Sequence, residues 1–399
     1  MKILMVLEGI FPPDERVEKE ALSLIESDFE VTILCPDPNI SDSSTEIFRG
    51  VRIWRVPSSK FMLKKASAAC LTLPFYFKYW RKQVKNALKK DVFDIIHVHD
   101  LPLAGPIQKI AKEHSIPVVL DFHENYPDML AVETRSQTLL GKILIPISKW
   151  RNYEISVLDN ATHVVSVVEE MKNRLEKINS RPEYIVVDNT LKVDLWPSPE
   201  ISSPGKEEDI KLVFVGGLTP KRGLDIAIEG VSIYNKNYGN HRECYLDIYG
   251  GGKPEYLNIL KSKIEGLNLR RKVNLKGFIK LPESGKVLGS YTAAIIPNIR
   301  SIQTDYSSPN KLYQYLYNGL PILSSNCDSL KRFIEENDAG IIYDYQSPAE
   351  FAKMLNEMVD RHDFIEMKKR VHRLVAEKFH WDITVQNLVN LYKKLEVRS

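Results

Sequence analysis

This 399-residue sequence contains no C-x-x-C pair, no D-x-D pair, no G-x-G-x-x-G fingerprint and no apolar run of bilayer length. Each absence removes a class of protein. The four cysteines, Cys35, Cys70, Cys244 and Cys327, stand far apart, so neither a disulfide framework nor a zinc site is encoded and a reducing cytoplasm is the expected setting. Gly250-Gly251-Gly252 runs into Lys253-Pro254-Glu255, which lacks both the third glycine of a dinucleotide site and the hydroxyl of a P-loop. The opening MKILMVL is broken by Glu8 and Pro12-Pro13, so it reads as a buried strand and not as a signal peptide. With nothing near the ~18 to 20 apolar residues that cross a bilayer, any membrane contact is peripheral. Charge of one sign is also lacking. Lys plus Arg number 55 against 52 Asp plus Glu, a net +3 that gives no reason to expect nucleic acid.

The apolar residues that are present fall into short continuous runs: KILMVL (2–7), VTILC (31–35), DIIHVH (94–99), PVVLDF (117–122) and THVVSV (162–167). Each precedes a polar loop and a helix-like stretch, which argues for a parallel sheet covered on both faces. PSPEISSPGKEED (197–209) has the composition of a linker. The pattern then restarts with KLVFVGG (211–217), CYLDIYGGG (244–252), KVNLKGF (272–278), AAIIP (293–297), PILSS (321–325) and GIIYD (340–344). The expected organisation is an α/β domain over 1–196, the linker, a second α/β domain over 210–379, and a helix over 380–399 that packs back on the first domain.

Ligands of open parallel sheets bind at the carboxyl ends of the strands, so the loops there are the places to look. Gly216-Gly217-Leu218-Thr219-Pro220-Lys221-Arg222-Gly223 leads from a strand into a helix and brings two cations to free backbone N–H groups. It reads as an anion cradle or as a glycine turn with solvated basic residues. In Ser308-Pro309-Asn310-Lys311-Leu312-Tyr313-Gln314-Tyr315-Leu316-Tyr317-Asn318-Gly319, Ser308 suits an N-cap, Pro309 the first turn and Gly319 the C-terminal stop. That predicts a helix of about ten residues on which Gln314 shares a face with Asn310 and Lys311.

These stretches, with P-x-x-R-V-x-K-E-A at Pro13 to Ala21, DIIHVHD at 94–100 and DFHENYP at 121–127, resemble the retaining glycosyltransferases of family 4, also called glycosyl transferases group 1. The resemblance covers nearly the whole chain and implies a GT-B fold, two facing Rossmann-like domains with an interdomain cleft. It implies that the C-terminal domain holds a nucleotide sugar, UDP- or GDP-linked, and the N-terminal domain an acceptor. His123 and Arg222 take the catalytic positions. Donor contacts fall on Gly9, Gly217, Lys221, Arg222, Gly250, Gly277 and Phe278, and on Tyr306, Ser308, Asn310, Lys311, Leu312 and Gln314. Asp14, Arg16, His99, Asp100 and Glu124 line the acceptor side. Of His97 and His99, one is expected to face the core and the other the loop. Three positions depart from the pattern. Gly217 stands where many members carry a second arginine, for which Lys221 is the available substitute. Tyr306 and Gln314 stand where the family has its spaced pair of glutamates, and Asp305 is one residue from the first.

Between Glu46 and Asp91 there is no acidic residue, whereas twelve are basic. Leu73, Phe77, Trp80, Val84 and Leu88 form an apolar stripe there, and Lys78, Lys82, Lys85 and Lys89 a basic one. The segment 47–90 reads either as a contact for an anionic membrane surface, with Phe75 and Tyr79 beside it, or as a solvated helix face. The leading expectation is a metal-independent glycosyltransferase without a cofactor, extending a lipid-linked saccharide acceptor at the inner face of the membrane. The alternatives are a sugar-nucleotide-binding subunit that has lost turnover, and a sugar-nucleotide epimerase on the same fold.

Overall fold

The structure, a computed structural model, describes residues 1–397 apart from 133, 198, 202–207 and 240. Most of the segment expected as a linker, 197–209, therefore lies outside the described residues. The chain forms two compact units: residues 1–188 with 385–399, and residues 189–384.

The first unit carries β1 (Lys2–Val6), β2 (Glu30–Asp37), β3 (Ser44–Phe48), β4 (Val51–Pro57), β5 (Ile95–His99), β6 (Val118–Phe122), β7 (His163–Ser166) and β8 (Glu183–Val186). Their order across the sheet is β3-β4-β2-β1-β5-β6-β7-β8. All pairs are parallel except β3 with β4. Ile3, Leu4, Met5 and Val6 of the central β1 are all at 0% exposure, as a strand covered on both faces requires. The β3–β4 hairpin, which sequence reading folded into the basic segment, turns at Arg49 and Gly50, both at positive φ (51° and 90°). Its outer strand is almost wholly exposed, so it has no apolar run to announce it. Helix Gln386–Glu396 belongs to this unit, with Asn387 donating to the Val186 carbonyl at 2.9 Å and Tyr392 fully buried.

The second unit carries β9 (Ile210–Val215), β10 (Cys244–Tyr249), β11 (Val273–Gly277), β12 (Ala293–Ile296), β13 (Ile322–Ser325) and β14 (Gly340–Tyr343), all parallel, in the order β11-β10-β9-β12-β13-β14. Alternate residues of β9 enter different cores. Leu212 and Phe214 pack with helices Leu224–Asn237, Pro254–Gly266 and Pro348–Val359. Val213 and Val215 pack with helices Lys311–Tyr317, Asp328–Glu336 and Phe364–Glu377. The two cores make a three-layer α/β body, and its strands point their carboxyl ends at the loops that carry Gly216, Gly250 and Gly277.

One backbone position shapes that edge. Gly223 ends the short turn Pro220–Arg222 at φ 60°, and a Cβ there would stand 2.0 Å from the Pro297 carbonyl oxygen. The close approach brings the loop after β12 against the loop after β9, where Ile299 N–H donates to the Lys221 carbonyl at 2.9 Å. Gly223→Ala should therefore lower the unfolding free energy by about 1–3 kcal/mol. A urea melt checks this, and an unchanged midpoint would mean that the Pro297 loop yields without cost.

Candidate active site

In the second unit, the loop after β9 and helix Lys311–Tyr317 gather the positive groups. Tyr315 ties the two together, its hydroxyl accepting from the Val215 N–H at 2.7 Å. One turn earlier, Lys311 is buried, with its Nζ 3.7 Å from the centre of the Phe214 ring. A Cβ on Gly216 would come within 2.7 Å of that Nζ, so a side chain there would push the lysine tip aside. Lys311 Nζ has no hydrogen-bond partner among the described residues. Burial, and then the nearby Arg222 charge, hold it well below the usual lysine range. Arg222 is half-buried, donates to Asn298 Oδ1 at 3.3 Å and is lowered by burial. Neither cation has a carboxylate partner among the described residues, so the pair is electrostatically incomplete.

The remaining expected donor residues are placed less uniformly. Gly217 is exposed and a Cβ on it would meet nothing within 4 Å, so this part of the loop is open. Lys221 is exposed, with its Nζ 3.4 Å from Gln303 Oε1. Gly250 is structural. Its N–H donates to the Gly277 carbonyl at 2.7 Å, and a Cβ would stand 1.9 Å from the Gly216 oxygen. Gly277 and the 80% exposed Phe278 lie at the same strand edge, while Leu312 belongs to the core. The expected ten-residue helix is shorter, Lys311–Tyr317, with Asn310 and not Ser308 at its N-cap. Asn310 Oδ1 accepts from Asn189 instead, and the buried Ser308 hydroxyl has no hydrogen-bond partner among the described residues. Gly319 at φ 67° does end the helix, with Leu320 N–H returning to the Tyr315 carbonyl. Gln314 is buried and Tyr306 half-buried. Asp305 does not replace the absent glutamate. Its carboxylate accepts from Arg300 Nε at 3.2 Å and from the Asp328 N–H at 3.0 Å.

In the first unit, the carboxyl ends of β1, β5 and β6 gather acids and histidines around one buried carboxylate. Asp121 Oδ2 accepts from His123 Nε2 at 3.0 Å, and His97 Nε2 and His99 Nδ1 each lie 3.4 Å away. Arg16 Nη2 donates to Asp121 Oδ1 at 3.2 Å, its Nη1 to the Val187 carbonyl at 2.9 Å, and its Nε lies 3.0 Å from Glu20. Expected on the acceptor side, Arg16 is only 6% exposed and turned inward. His97 and His99 also depart from expectation. Residues two apart on a strand share a face, so both rings are buried and stack 4.4 Å apart. Asp14 caps helix Glu15–Ile25 through the Val17 N–H at 3.1 Å.

The charges follow from this packing. Burial alone would protonate Asp121, but Arg16 and His123 outweigh it and hold the carboxyl well below its usual range. Burial opposes charge on His123 too, yet Asp121 and then Asp100 raise it to about 9. His99 is pushed down to about 3 by burial and by His97, while Glu20 is pushed up to about 8 by burial and by Asp121. Glu20, His97, His99 and Asp121 bring ligand-type atoms within 4.8 Å of one another, but the Arg16 guanidinium already lies against both carboxylates. His123 reaches outward at 21% exposure, as does Asp100 at 22%, with His123 Nδ1 3.7 Å from the Asp100 carboxylate. Gly9 and Glu124 are half-buried in the loops beside it. Glu8 was missed in the sequence because a single acid after a strand carries no pattern. It accepts from the Tyr76 hydroxyl at 2.5 Å and is raised to about 7 by burial and by Asp100.

Two Rossmann-like units of this kind define the GT-B class of glycosyltransferase. The solved structures agree in fold. Sucrose-phosphate synthase from Thermosynechococcus elongatus matches over 100% of both chains with a TM-score of 0.77 at 13% identity. Anabaena HepE, solved in complex with UDP, matches over 99% of this chain and 100% of its own with a TM-score of 0.69 at 11% identity. Residues 16–189 match the family described as Glycosyltransferase Family 4, and residues 209–361 match Glycosyl transferases group 1. The chain belongs to this glycosyltransferase family. Spore coat protein SA of Bacillus subtilis (strain 168) is 23% identical to it over 334 residues, which span 79% of this chain and 82% of that protein.

Burying a lysine tip that has no partner among the described residues costs stability whether it keeps its proton or gives it up, so the substitution Lys311→Met should stabilise the unliganded protein. A gain of roughly 1 kcal/mol would raise the thermal midpoint by about 2–4 °C. A midpoint that falls would show that the Phe214 contact outweighs the cost of burying the charge.

Proposed function

We propose that the protein transfers a sugar from a nucleoside diphosphate donor to a hydroxyl of a lipid-linked saccharide, with retention at the anomeric carbon and without a metal, in the assembly of cell-surface polysaccharide. The observation that carries the donor half is the pair Lys311 and Arg222, two buried or half-buried cations with no counter-charge. A diphosphate supplies what they lack. As the bond to the sugar breaks, negative charge grows on the departing diphosphate, and the two cations stabilise it where it develops. That is the work a D-x-D-bound ion does elsewhere, and this chain has no D-x-D. The family resemblance assigns His123 to the donor sugar, and UDP bound to the HepE neighbour supports a nucleotide in this fold.

Calorimetric titration with UDP and with GDP tests the donor site. One of the two should bind, and Arg222→Ala should weaken it by about 10- to 100-fold, as loss of a charge-assisted contact implies. Unchanged affinity removes Arg222 from the site. A panel of UDP- and GDP-sugars incubated with membrane extract then reads turnover. The departures at Tyr306 and Gln314, with Asp305 held by Arg300, favour a second reading, a binding subunit without turnover. Nucleotide binding with no acceptor-dependent release would select it, and donor turnover without acceptor would select an epimerase.

Placement at an anionic membrane rests on the first unit. The basic segment is acid-free in sequence but not in space. Arg49 pairs with Glu18, Arg52 with Asp91, Arg55 with Glu46 and Lys85 with Glu113. The side chains of Lys64 and Lys65 lie outside the described part. Lys60, Lys78, Lys82 and Lys89 are exposed and make no ion pair among the described residues. The buried stripe of helix Phe75–Lys90 is Tyr76, Trp80, Val84 and Ala87, shifted by about one residue from the expected stripe, which leaves Leu73 and Phe75 outward. Helix Leu139–Leu144 adds an apolar group, with Leu139 85%, Leu140 65% and Ile143 69% exposed, and an exposed Lys142 beside them. No helix among the described residues is long and apolar enough to cross a membrane. Sedimentation with phosphatidylglycerol vesicles should capture the protein, phosphatidylcholine vesicles should not, and Leu140→Gln with Ile143→Gln should weaken capture by about tenfold. Equal capture by both lipids, or none, removes the membrane from the proposal.

A further inference from the structure

His123 owes its place to a network of Arg16, His97, His99 and Asp121, all within the stretches that carry the family resemblance. Asp121 is the fourth residue of β6 and His123 the first beyond its end, and the two side chains meet with His123 Nε2 3.0 Å from Asp121 Oδ2. Asp121 is at 0% exposure and touches helix Glu15–Ile25 through Arg16, β5 through His97 and His99, and the loop after its own strand through His123. Arg16 is fixed in turn by the Val187 carbonyl and by Glu20. The far side of His97 is held by the Tyr392 hydroxyl of the C-terminal helix at 2.6 Å, with the two rings 6° from parallel. We infer that Asp121 is a positioning residue for His123: it grips the Nε2–H, leaves Nδ1 on the Asp100 side as the nitrogen that meets the substrate, and is itself held in place by Arg16. This rests on the reading of His123 as a residue of the reaction site.

The charged and titratable groups facing His123 are Asp121, Asp100, Arg16, Glu20, His97 and His99. Burial lowers both His97 and His99, so the two buried rings are neutral at pH 7 and the positive charge beside Asp121 resides on Arg16 and His123. His123 raised to about 9 is then an imidazolium at pH 7, a hydrogen-bond donor through Nδ1 and not a general base. The sign for stability follows. A histidine raised in the folded state stabilises it fully below about pH 6.5 and loses that contribution as the pH rises through about 9.

The test is a ring-proton and ring-nitrogen NMR titration of the full chain, with the His123 signal identified by its loss in His123→Gln. Wild-type His123 should titrate near pH 9. Asp121→Asn, which keeps the shape and removes the charge, should move that midpoint down by at least one pH unit and flatten the fall in thermal midpoint between pH 6.5 and 9. An unmoved midpoint in a folded Asp121→Asn overturns the inference. If that variant does not fold, the wild-type titration still decides, because a midpoint at or below about 6.5 also overturns it. None of these readouts needs turnover. Whether His123 serves the reaction is decided separately, by nucleotide release in His123→Gln, so the two failures are distinguishable.

Discussion

The contact between Arg16 and Asp121 is the constraint on which the first unit depends. Asp121 is fully buried near the middle of an eight-stranded sheet, where an ionised carboxylate without partners would not survive. Its partners come from a helix that starts at residue 15, a strand that ends at residue 99 and the loop that follows β6, so one charge draws together segments over a hundred residues apart. Removing either member of such a pair leaves the other charge buried alone, which costs about 3–5 kcal/mol. Replacing both with well-packed apolar groups would usually cost nothing or stabilise. The retained pair therefore has to be explained by what it positions, and the one member of the network with access to solvent is His123.

The second unit solves the opposite problem. Phe214 and Gly216 enclose a lysine that no protein carboxylate balances, and Arg222 raises the cost further. One unit thus pairs its charges internally around Asp121, and the other leaves Lys311 and Arg222 without a carboxylate partner among the described residues. Both arrangements stand at the carboxyl ends of parallel strands, where backbone groups emerge from the sheet toward loops. The helices also contribute differently. Tyr315 fixes the register of Lys311 through the end of β9, while Asp14 caps the helix that sets Arg16.

Strands covered on both faces were legible because their apolar runs are continuous, as in KILMVL and KLVFVGG. Edge strands were not, since β3 is exposed and β4 interleaves Arg52 and Arg55 with its buried residues. Glycines and cations of the 216–223 loop could be picked out because turn chemistry and charge are local. The burial of Arg16 was not legible for a related reason: nothing local to its helix announces the distant partner, Asp121. The partial neutralisation of the acid-free stretch was hidden in the same way, since composition along the chain does not reveal that Glu18, Asp91 and Glu113 fold back onto it. The histidine pair needed only the period of a strand, which places residues 97 and 99 on one face.

The substitution at position 314 acquires a physical meaning from Lys311. The two residues are three apart on one helix and face the same way, so a glutamate at 314 would sit beside the lysine and offset part of its charge. Glutamine cannot. Burial and Arg222 then act on Lys311 without opposition, and no acid enters the balance. A neutral residue at 314 therefore shifts the whole of the compensation to the ligand. The protein without ligand bears a larger electrostatic penalty, and an incoming diphosphate relieves a larger one. Under the proposed donor reading, glutamine at 314 gives up a charged contact and leaves Lys311 with a stronger attraction for the diphosphate.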